Sequence, residues 1–279
     1  MIVETIHNNP ALFSESGIPF LMAKEVENVL IIGISTNLVE SAGHSFYSYD
    51  ETYFWIVRDV SSITGVAMLT PPHDLVLSCP FTDPSLIALA ESLLELNISL
   101  PGVLGPDYAA EKFADIWGES TSKTADLFRK ERGYRLDTIN PLKLASGNMI
   151  QAEYNQKSFL ESWVDGFNKN TNGEINTSQL DTYISDGRLF IWFDDEPKSM
   201  AVWTGPTPNG VRVTMVYTPP ESRRRGYATS LVSSLSSMLL QQGKTFCSLY
   251  TDLANPISNS IYQQIGYKPV IDLYHYRFV

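Results

Sequence analysis

One stretch constrains this chain more than any other: Val211 to Ala228, VRVTMVYTPPESRRRGYA. Val211, Val213, Met215 and Tyr217 alternate with Arg212, Thr214 and Val216, the two-residue period of a strand covered at least partly on both faces. Pro219 and Pro220 end that strand, because proline brings no N–H to a ladder. Arg223, Arg224, Arg225 and Gly226 follow, and a helix opens at once. Its Leu231, Val232, Leu235, Met238 and Leu239 share one face, and Gly243 supplies the stop. Such a junction of strand, tight turn and helix start points unpaired N–H groups and the positive end of the helix dipole into one space. The arginines add full charge beside it, so the pattern predicts an anion there, a pyrophosphate fitting best. Gly226 lets the backbone approach that anion, and Ala228 keeps the helix entrance clear. Taken alone, the three arginines also read as a solvated cluster at a helix start.

A second stretch adds to the first. Phe246 to Thr251 reads as a strand, Asn255 as an N-cap with Pro256 at the first helical position, and Gly266 as the glycine that closes the helix. In these two stretches the sequence resembles the GCN5-related N-acetyltransferase (GNAT) superfamily. Arg223, Gly226 and Ala228 match its Arg/Gln-x-x-Gly-x-Gly/Ala motif. Asn255, Ser258, Ile261, Tyr262, Gly266 and Tyr267 match its later Asn-x-x-Ala/Ser-x-x-Leu-Tyr-x-x-x-Gly-Phe segment, with Ile for Leu and Tyr for Phe. The extended stretches further resemble a bacterial subgroup with an extra N-terminal half.

The resemblance implies acetyl-CoA as co-substrate and no metal. It implies that the central strand and the strand from Phe246 splay apart to admit the pantetheine arm. Val216, Tyr217 and Thr218 would hold the arm and the thioester carbonyl, and Arg223, Arg224, Arg225, Gly226, Tyr227, Ala228 and Thr229 the pyrophosphate. Asn255, Ser258 and Tyr262 would line the arm from the next helix, with Tyr262 as general acid for the departing thiolate. The plainer alternatives are a packed tyrosine at 262 and a simple helix cap at 255. No general base stands out: Asp252, Tyr250, Glu174, Glu153 and His275 are candidates, and ordered water is another.

A length of 279 residues suits two domains, and an apolar fraction of 43% is enough to bury real cores. The second half repeats the order of the first. Trp55 to Pro72 and Phe190 to Pro206 both read as strand, polar turn and strand, and both lead into strand, helix, strand and helix. The chemistry is not repeated: where Arg223 to Ala228 stands, the first half has Cys79-Pro80-Phe81-Thr82-Asp83-Pro84. Gly102 and Gly105 read as a turn after a short strand rather than a phosphate loop. The expectation is therefore an α/β protein of two tandem GNAT-like halves, each a mixed, mostly antiparallel sheet flanked by helices. Residues 1–139 form a degenerate copy and residues 140–279 the active one. In the first half Phe20 to Thr36 is expected as strand, with a short helix before it near Asn9 to Ser16, and the segment ending in ERGYRLDTI as helix turning to strand.

Charge and cysteine content limit the partners. The formal net charge of −11 argues against nucleic acid and favours a small-molecule amine acceptor of cationic character. No apolar run approaches the roughly 20 residues of a membrane span, and Met1-Ile2-Val3-Glu4 lacks the basic region of a secretory signal, so a cytoplasmic protein is expected. Cys79 and Cys247 sit in separate apolar stretches and read as buried thiols; His7, His44, His73 and His275 are scattered, without zinc spacing. Two other readings compete with an N-acetyltransferase. One is a non-catalytic acyl-CoA sensor, the other a transferase working on aminoacyl-tRNA, which the acidic balance disfavours.

Overall fold

The computed structural model describes residues 1–40, 51–60, 62–171, 173 and 175–279, so His44 and Glu174 lie outside the described residues. The chain divides into two compact units. The first comprises Met1–Gly133, Thr251–Asn255 and Pro269–Val279; the second comprises Tyr134–Tyr250 and Pro256–Lys268. By compactness residues 134–139 group with the second unit and Pro269–Val279 with the first.

In the first unit β1 (Ile2–His7), β2 (Tyr53–Arg58), β3 (Ile63–Leu69) and β4 (Leu75–Leu77) are neighbours in antiparallel order. Next to β4 runs β5 (Gly102–Pro106), parallel to it and antiparallel on its other side to the C-terminal strand Lys268–Phe278. Alternation along β2 sets the layers. Trp55 and Val57 pack under α3 (Asp83–Glu95) and α4 (Asp107–Thr121), while Phe54 and Ile56 pack under α1 (Pro10–Met22) and α2 (Val29–Glu40).

Three expectations are corrected here. Phe20 to Thr36 is the end of α1, a turn over residues 23–28 and most of α2, and not strand. Its apolar run is short and continuous, and such a run suits a buried helix as well as a strand; with Val29, Ile31, Ile32, Ser35 and Leu38 all buried, packing overrides the β-branched residues. Ala125–Leu136 is one long strand, β6, without a helical start. Gly102 and Gly105 lie within β5, and a side chain on Gly102 would meet the Tyr276 carbonyl and Asp74, so close strand packing accounts for that glycine.

The second unit repeats the order of elements. β7 (Asn148–Gln151), β8 (Leu189–Asp194), β9 (Glu196–Thr204) and β10 (Gly210–Tyr217) are consecutive antiparallel neighbours, and β11 (Phe246–Asp252) runs parallel to β10. On one face lie α7 (Tyr227–Gln241) and α8 (Pro256–Ile265), over Phe190, Trp192, Val211 and Val213. On the other lie α5 (Lys157–Thr171) and α6 (Thr177–Ser185), over Leu189, Ile191, Met200 and Val202. The fold is thus α/β, with two tandem halves of mixed sheet and flanking helices.

The expected single face for Val211, Val213, Met215 and Tyr217 is also corrected. Val211 and Val213 face α7, but Met215 and Tyr217 face α5 and α6. A bulge causes the switch: Thr214 and Tyr217 pair with Val202 and Met200, so β10 carries one residue more than β9. Met215 takes up the extra length at φ 51°, in the left-handed region.

Candidate functional site

The site is built around the C-terminal end of β10 and the start of α7. β10 pairs with β11 only from Gly210 to Arg212, opposite Phe246 to Ser248, although both strands continue beyond. From Val213 onward the two strands part, at the same point where the bulge interrupts the ladder to β9. The extra residue of a bulge is left unpaired, so N–H and C=O groups of β10 near Met215 and Val216 are available to something other than a strand. Val216 packs partly buried on the α7 side.

Beyond Tyr217 the chain is held firmly. The Thr218 hydroxyl donates to Ser199 Oγ at 2.9 Å, the Ser199 hydroxyl donates to the Tyr217 carbonyl at 2.9 Å, and Arg223 Nε donates to the Thr218 carbonyl at 3.0 Å. A single 3-10 turn, Pro220–Ser222, leads to Arg223 in extended conformation, Arg224 at φ 61° and Gly226 at φ 81°. Two left-handed residues within three positions wrap the backbone into a concave turn.

Gly226 is the N-cap of α7, and the first bond of that helix runs from Ser230 N–H to the Gly226 carbonyl at 2.9 Å. The N–H groups of Tyr227, Ala228 and Thr229 therefore have no acceptor inside the helix. No side chain caps this end and its first turn carries no acid. The nearest heavy atom to a side chain built on Gly226 is Ala145 Cβ, 3.9 Å away, so the space in front of the helix is open. Arg223, Arg224 and Arg225 are exposed around it. These residues fit a pyrophosphate: donors, dipole and fixed charge converge, with Glu196 near enough to act on Arg225 but itself held by Lys198 at 2.6 Å.

Tyr227 contributes through its backbone only. Its buried hydroxyl donates to Asp194 Oδ2 at 2.8 Å, the acceptor that also takes the Ser146 hydroxyl at 2.6 Å. Those two hydrogen bonds, Ser146 first, hold the Asp194 carboxyl below its ordinary pKa. The cluster fixes the start of α7 on β8, and nothing in the sequence pattern announces it.

Tyr262 lies in α8, 7% exposed, against Tyr134 and Tyr267 at ring-centre distances of 6.3 and 6.0 Å. Its hydroxyl makes no hydrogen bond among the described residues, and burial raises its pKa well above that of a free phenol. The group stays protonated throughout the neutral range. Ser258 is half-buried one turn earlier on the same helix. Asn255 immediately precedes the helix, exposed, its N–H on the Asp252 carbonyl at 3.0 Å; by compactness it goes with the first unit.

The candidate bases separate clearly. Asp252 Oδ1 accepts the Ala254 N–H at 2.7 Å, closing the turn before α8. Glu153 and Gln156 form a capping box ahead of α5. His275 belongs to the first unit, where its Nε2 lies 2.6 Å from the Asp74 carboxylate. Tyr250, on β11, has the guanidinium of Arg212 over its ring at 5.7 Å. Arg212 is the residue that sequence reasoning passed over, and its signal is a lone charge in an otherwise apolar strand.

In the first unit the corresponding turn is closed from within. Asn28 Nδ2 donates to the Cys79 carbonyl at 2.8 Å and its Oδ1 accepts the Cys79 N–H at 2.7 Å. The helix that follows, α3, carries Asp83 in its first turn, which disfavours an anion. Among the described residues no cluster of His, Cys, Asp and Glu suits a metal ion, and no helix is long and apolar enough to cross a membrane.

Comparison with known proteins bears on the fold. Residues 192–277 match the family described as FR47-like protein. No curated protein matches the sequence. Among solved structures, an acetyltransferase of the GNAT family from Colwellia psychrerythraea superposes with a TM-score of 0.62 at 11% identity, over 100% of both chains. A GCN5-related N-acetyltransferase from Sphaerobacter thermophilus gives 0.64 at 12% identity, over 99% of this chain and 95% of that one. A tandem GNAT protein from the clavulanic acid biosynthesis pathway gives 0.60 at 11% identity, over 100% and 98%. The resemblance to the GNAT superfamily thus extends from two motifs to the fold of the whole chain.

Proposed function

We propose that this chain, with its FR47-like segment and GNAT fold, is an N-acetyltransferase that moves an acetyl group from acetyl-CoA to a primary amine. The observation that carries this reading is the uncapped, acid-free start of α7 beside a strand that is both bulged and splayed from its parallel neighbour. Acetyl-CoA supplies an activated thioester and a pyrophosphate handle. The backbone N–H groups of Gly226 to Thr229, with Arg223, Arg224 and Arg225, bind the handle. The end of β10 that has parted from β11, with Val216, Tyr217 and the following Thr218, holds the arm, and an N–H there polarises the thioester carbonyl.

The amine must attack as the free base. Its nitrogen forms the new N–C bond, the C–S bond breaks, and the electron pair leaves on sulfur. Tyr262 then gives its proton to the sulfur, and the proton shed by the amine passes to water. A buried phenol with no partner of its own suits that role, because it reaches the reaction protonated. Asn255 and Ser258 complete the wall along the arm. We further propose that residues 1–139 are a degenerate copy that takes no acetyl-CoA, and that the protein is cytoplasmic and acts on a small molecule rather than nucleic acid.

A panel of amines incubated with acetyl-CoA, read as free thiol, tests the reading. Thiol release that depends on an amine supports transfer. Tight acetyl-CoA binding without release for any amine would instead identify an acyl-CoA sensor.

A further inference from the structure

Arg212 is a charge that no carboxylate among the described residues answers. It is half-buried on β10, and its Nε is fully buried with no hydrogen-bond partner. None of the ion pairs among the described residues involves it, whereas Arg58, Arg129, Arg132, Arg135 and Arg188 each face a carboxylate. The chain carries 31 acidic side chains to 20 basic ones, so an unpaired guanidinium is not a matter of shortage. A buried, unsatisfied cationic donor costs stability and persists where a ligand supplies the missing acceptor.

The position of Arg212 says which ligand. It is the last β10 residue in register with β11, opposite Ser248, so its side chain leaves the sheet where the two strands part. Its neighbours Val211 and Val213 are buried under α7, which puts Arg212 on the opposite face with α5 and α6. Both faces of the sheet are packed, so in the acetyl-transfer reading the acceptor enters at the gap between β10 and β11, and an acceptor on the α5 and α6 side of that gap meets Arg212. Tyr250 lies under the guanidinium, and Tyr183 of α6 is near enough for the Arg212 charge to act on it. Arg188 also faces Tyr183 but is held by Asp186 at 2.9 Å. Of the two, Arg212 has no carboxylate partner among the described residues, and a guanidinium fork matches a carboxylate.

We infer that Arg212 is a specificity-determining residue that binds a carboxylate on the acceptor, so that the acceptor is an amino acid or a closely related amine bearing a free carboxylate. This rests on the acetyl-transfer reading and narrows it. It also reconciles the acidic chain with an arginine in the pocket: the ammonium end of a zwitterion is drawn by the overall field, and its carboxylate is anchored locally.

The test pairs acids with their amides. Initial rates with acetyl-CoA are measured for glycine, β-alanine, γ-aminobutyrate and the α-amino acids against the corresponding carboxamides, in the wild-type protein and in R212M and R212K. Thermal shifts with the same compounds are measured in parallel. At least one acid is expected to exceed its amide by roughly 10–100-fold in kcat/KM, the range for hydrogen bonds to a charged group. R212M should lose that preference through KM, and R212K should keep part of it. Unchanged acetyl-CoA titration in both variants shows that they are folded. Equal use of acids and amides, or a preference that survives R212M, would overturn the assignment and leave acetyl transfer standing. Should no amine release thiol, acetyl transfer falls, and the thermal arm still decides: acids that raise Tm in wild type but not in R212M sustain Arg212 as a carboxylate site, and no difference removes it.

Discussion

Val213 and Met215 are two positions apart on one strand and face opposite sides of the sheet, Val213 toward α7 and Met215 toward α5 and α6. In a regular strand they would share a side. The extra residue between Thr214 and Tyr217 breaks the rule, and it does so where β10 has already left β11. One local irregularity thereby frees backbone groups and keeps both cores filled.

The left-handed Met215 gives a first prediction. In a strand interior glycine is normally worse than alanine by roughly 0.5–1 kcal/mol. At φ 51° the order should invert. Both Met215→Ala and Met215→Gly lose the buried side chain, at about 2–5 kcal/mol, but the glycine variant should be the more stable of the two by about 1 kcal/mol. Urea unfolding of the pair decides it. An alanine variant at least as stable as the glycine variant would mean that position 215 is not held left-handed in solution.

Gly226 gives a second. A side chain there meets open space but has to adopt φ 81°, so Gly226→Val strains the turn by roughly 1–2 kcal/mol while leaving both cores intact. Acetyl-CoA binding should be abolished, because the side chain stands where the pyrophosphate meets the backbone. Loss of Arg225 should cost about 1–3 kcal/mol of binding, one charge-assisted contact. Calorimetric titration measures both; native affinity in a folded G226V would remove the cradle from this turn.

The turn and helix start at the candidate site were legible in the sequence, and the reason is physical. Prolines, arginines and a glycine in a fixed order leave few backbone paths, so the turn from Pro219 to Gly226 and the start of α7 follow from local chemistry alone. The bulge does not: Val211 to Tyr217 alternates without a break, and only the pairing with Met200 and Val202 shows the inserted residue. Arg212 escaped for the same reason, since its significance lies in partners it lacks. The helix over Val29 to Glu40 was hidden because a buried apolar run carries no period to read.

Tyr262→Phe isolates the proton. The ring packs against Tyr134 and Tyr267, and the hydroxyl has no hydrogen bond to lose, so the variant should fold and bind acetyl-CoA as before. Turnover should fall by roughly 10²–10⁴, the usual range for a general acid. Steady-state kinetics at saturating acetyl-CoA provide the check, and a variant with full kcat would show that Tyr262 only packs.

Alkaline pH should destabilise the protein in two stages. Burial pushes the Cys247 thiol up to about 12 and raises the Tyr262 and Tyr267 phenols above their ordinary values. A group whose pKa is higher folded than unfolded stabilises below its unfolded value and loses that contribution as pH rises. Unfolding free energy should therefore begin to fall near pH 8.5, by about 1.4 kcal/mol per pH unit from the thiol, and more steeply above about pH 10 as the two phenols join. Urea titrations at pH 8, 9, 10 and 10.5 measure the slope, and Cys247→Ala should reduce its first stage, leaving the part due to Cys79, whose thiol burial also raises. A slope below pH 10 that is the same in C247A would exclude the Cys247 thiol as its source.

Tyr134 tests where the second unit begins. It lies ahead of the boundary that the sequence pattern suggests, yet it is 0% exposed in the α7 and α8 core, its hydroxyl donates to Asn259 at 2.7 Å, and Gln263 donates to that hydroxyl at 3.2 Å. Leu136 is equally buried in the same core. Tyr134→Phe removes the two hydrogen bonds and should cost about 1–3 kcal/mol, whereas Tyr134→Ala also opens a cavity and should cost roughly 3–5 kcal/mol. Because both anchors of the hydroxyl are on α8, the helix that carries Tyr262, hydrogen exchange in Y134F should rise first over residues 256–265. Unchanged protection there, with Y134A as stable as wild type, would show that residues 134–136 are dispensable to the second unit and that it begins after Ile139.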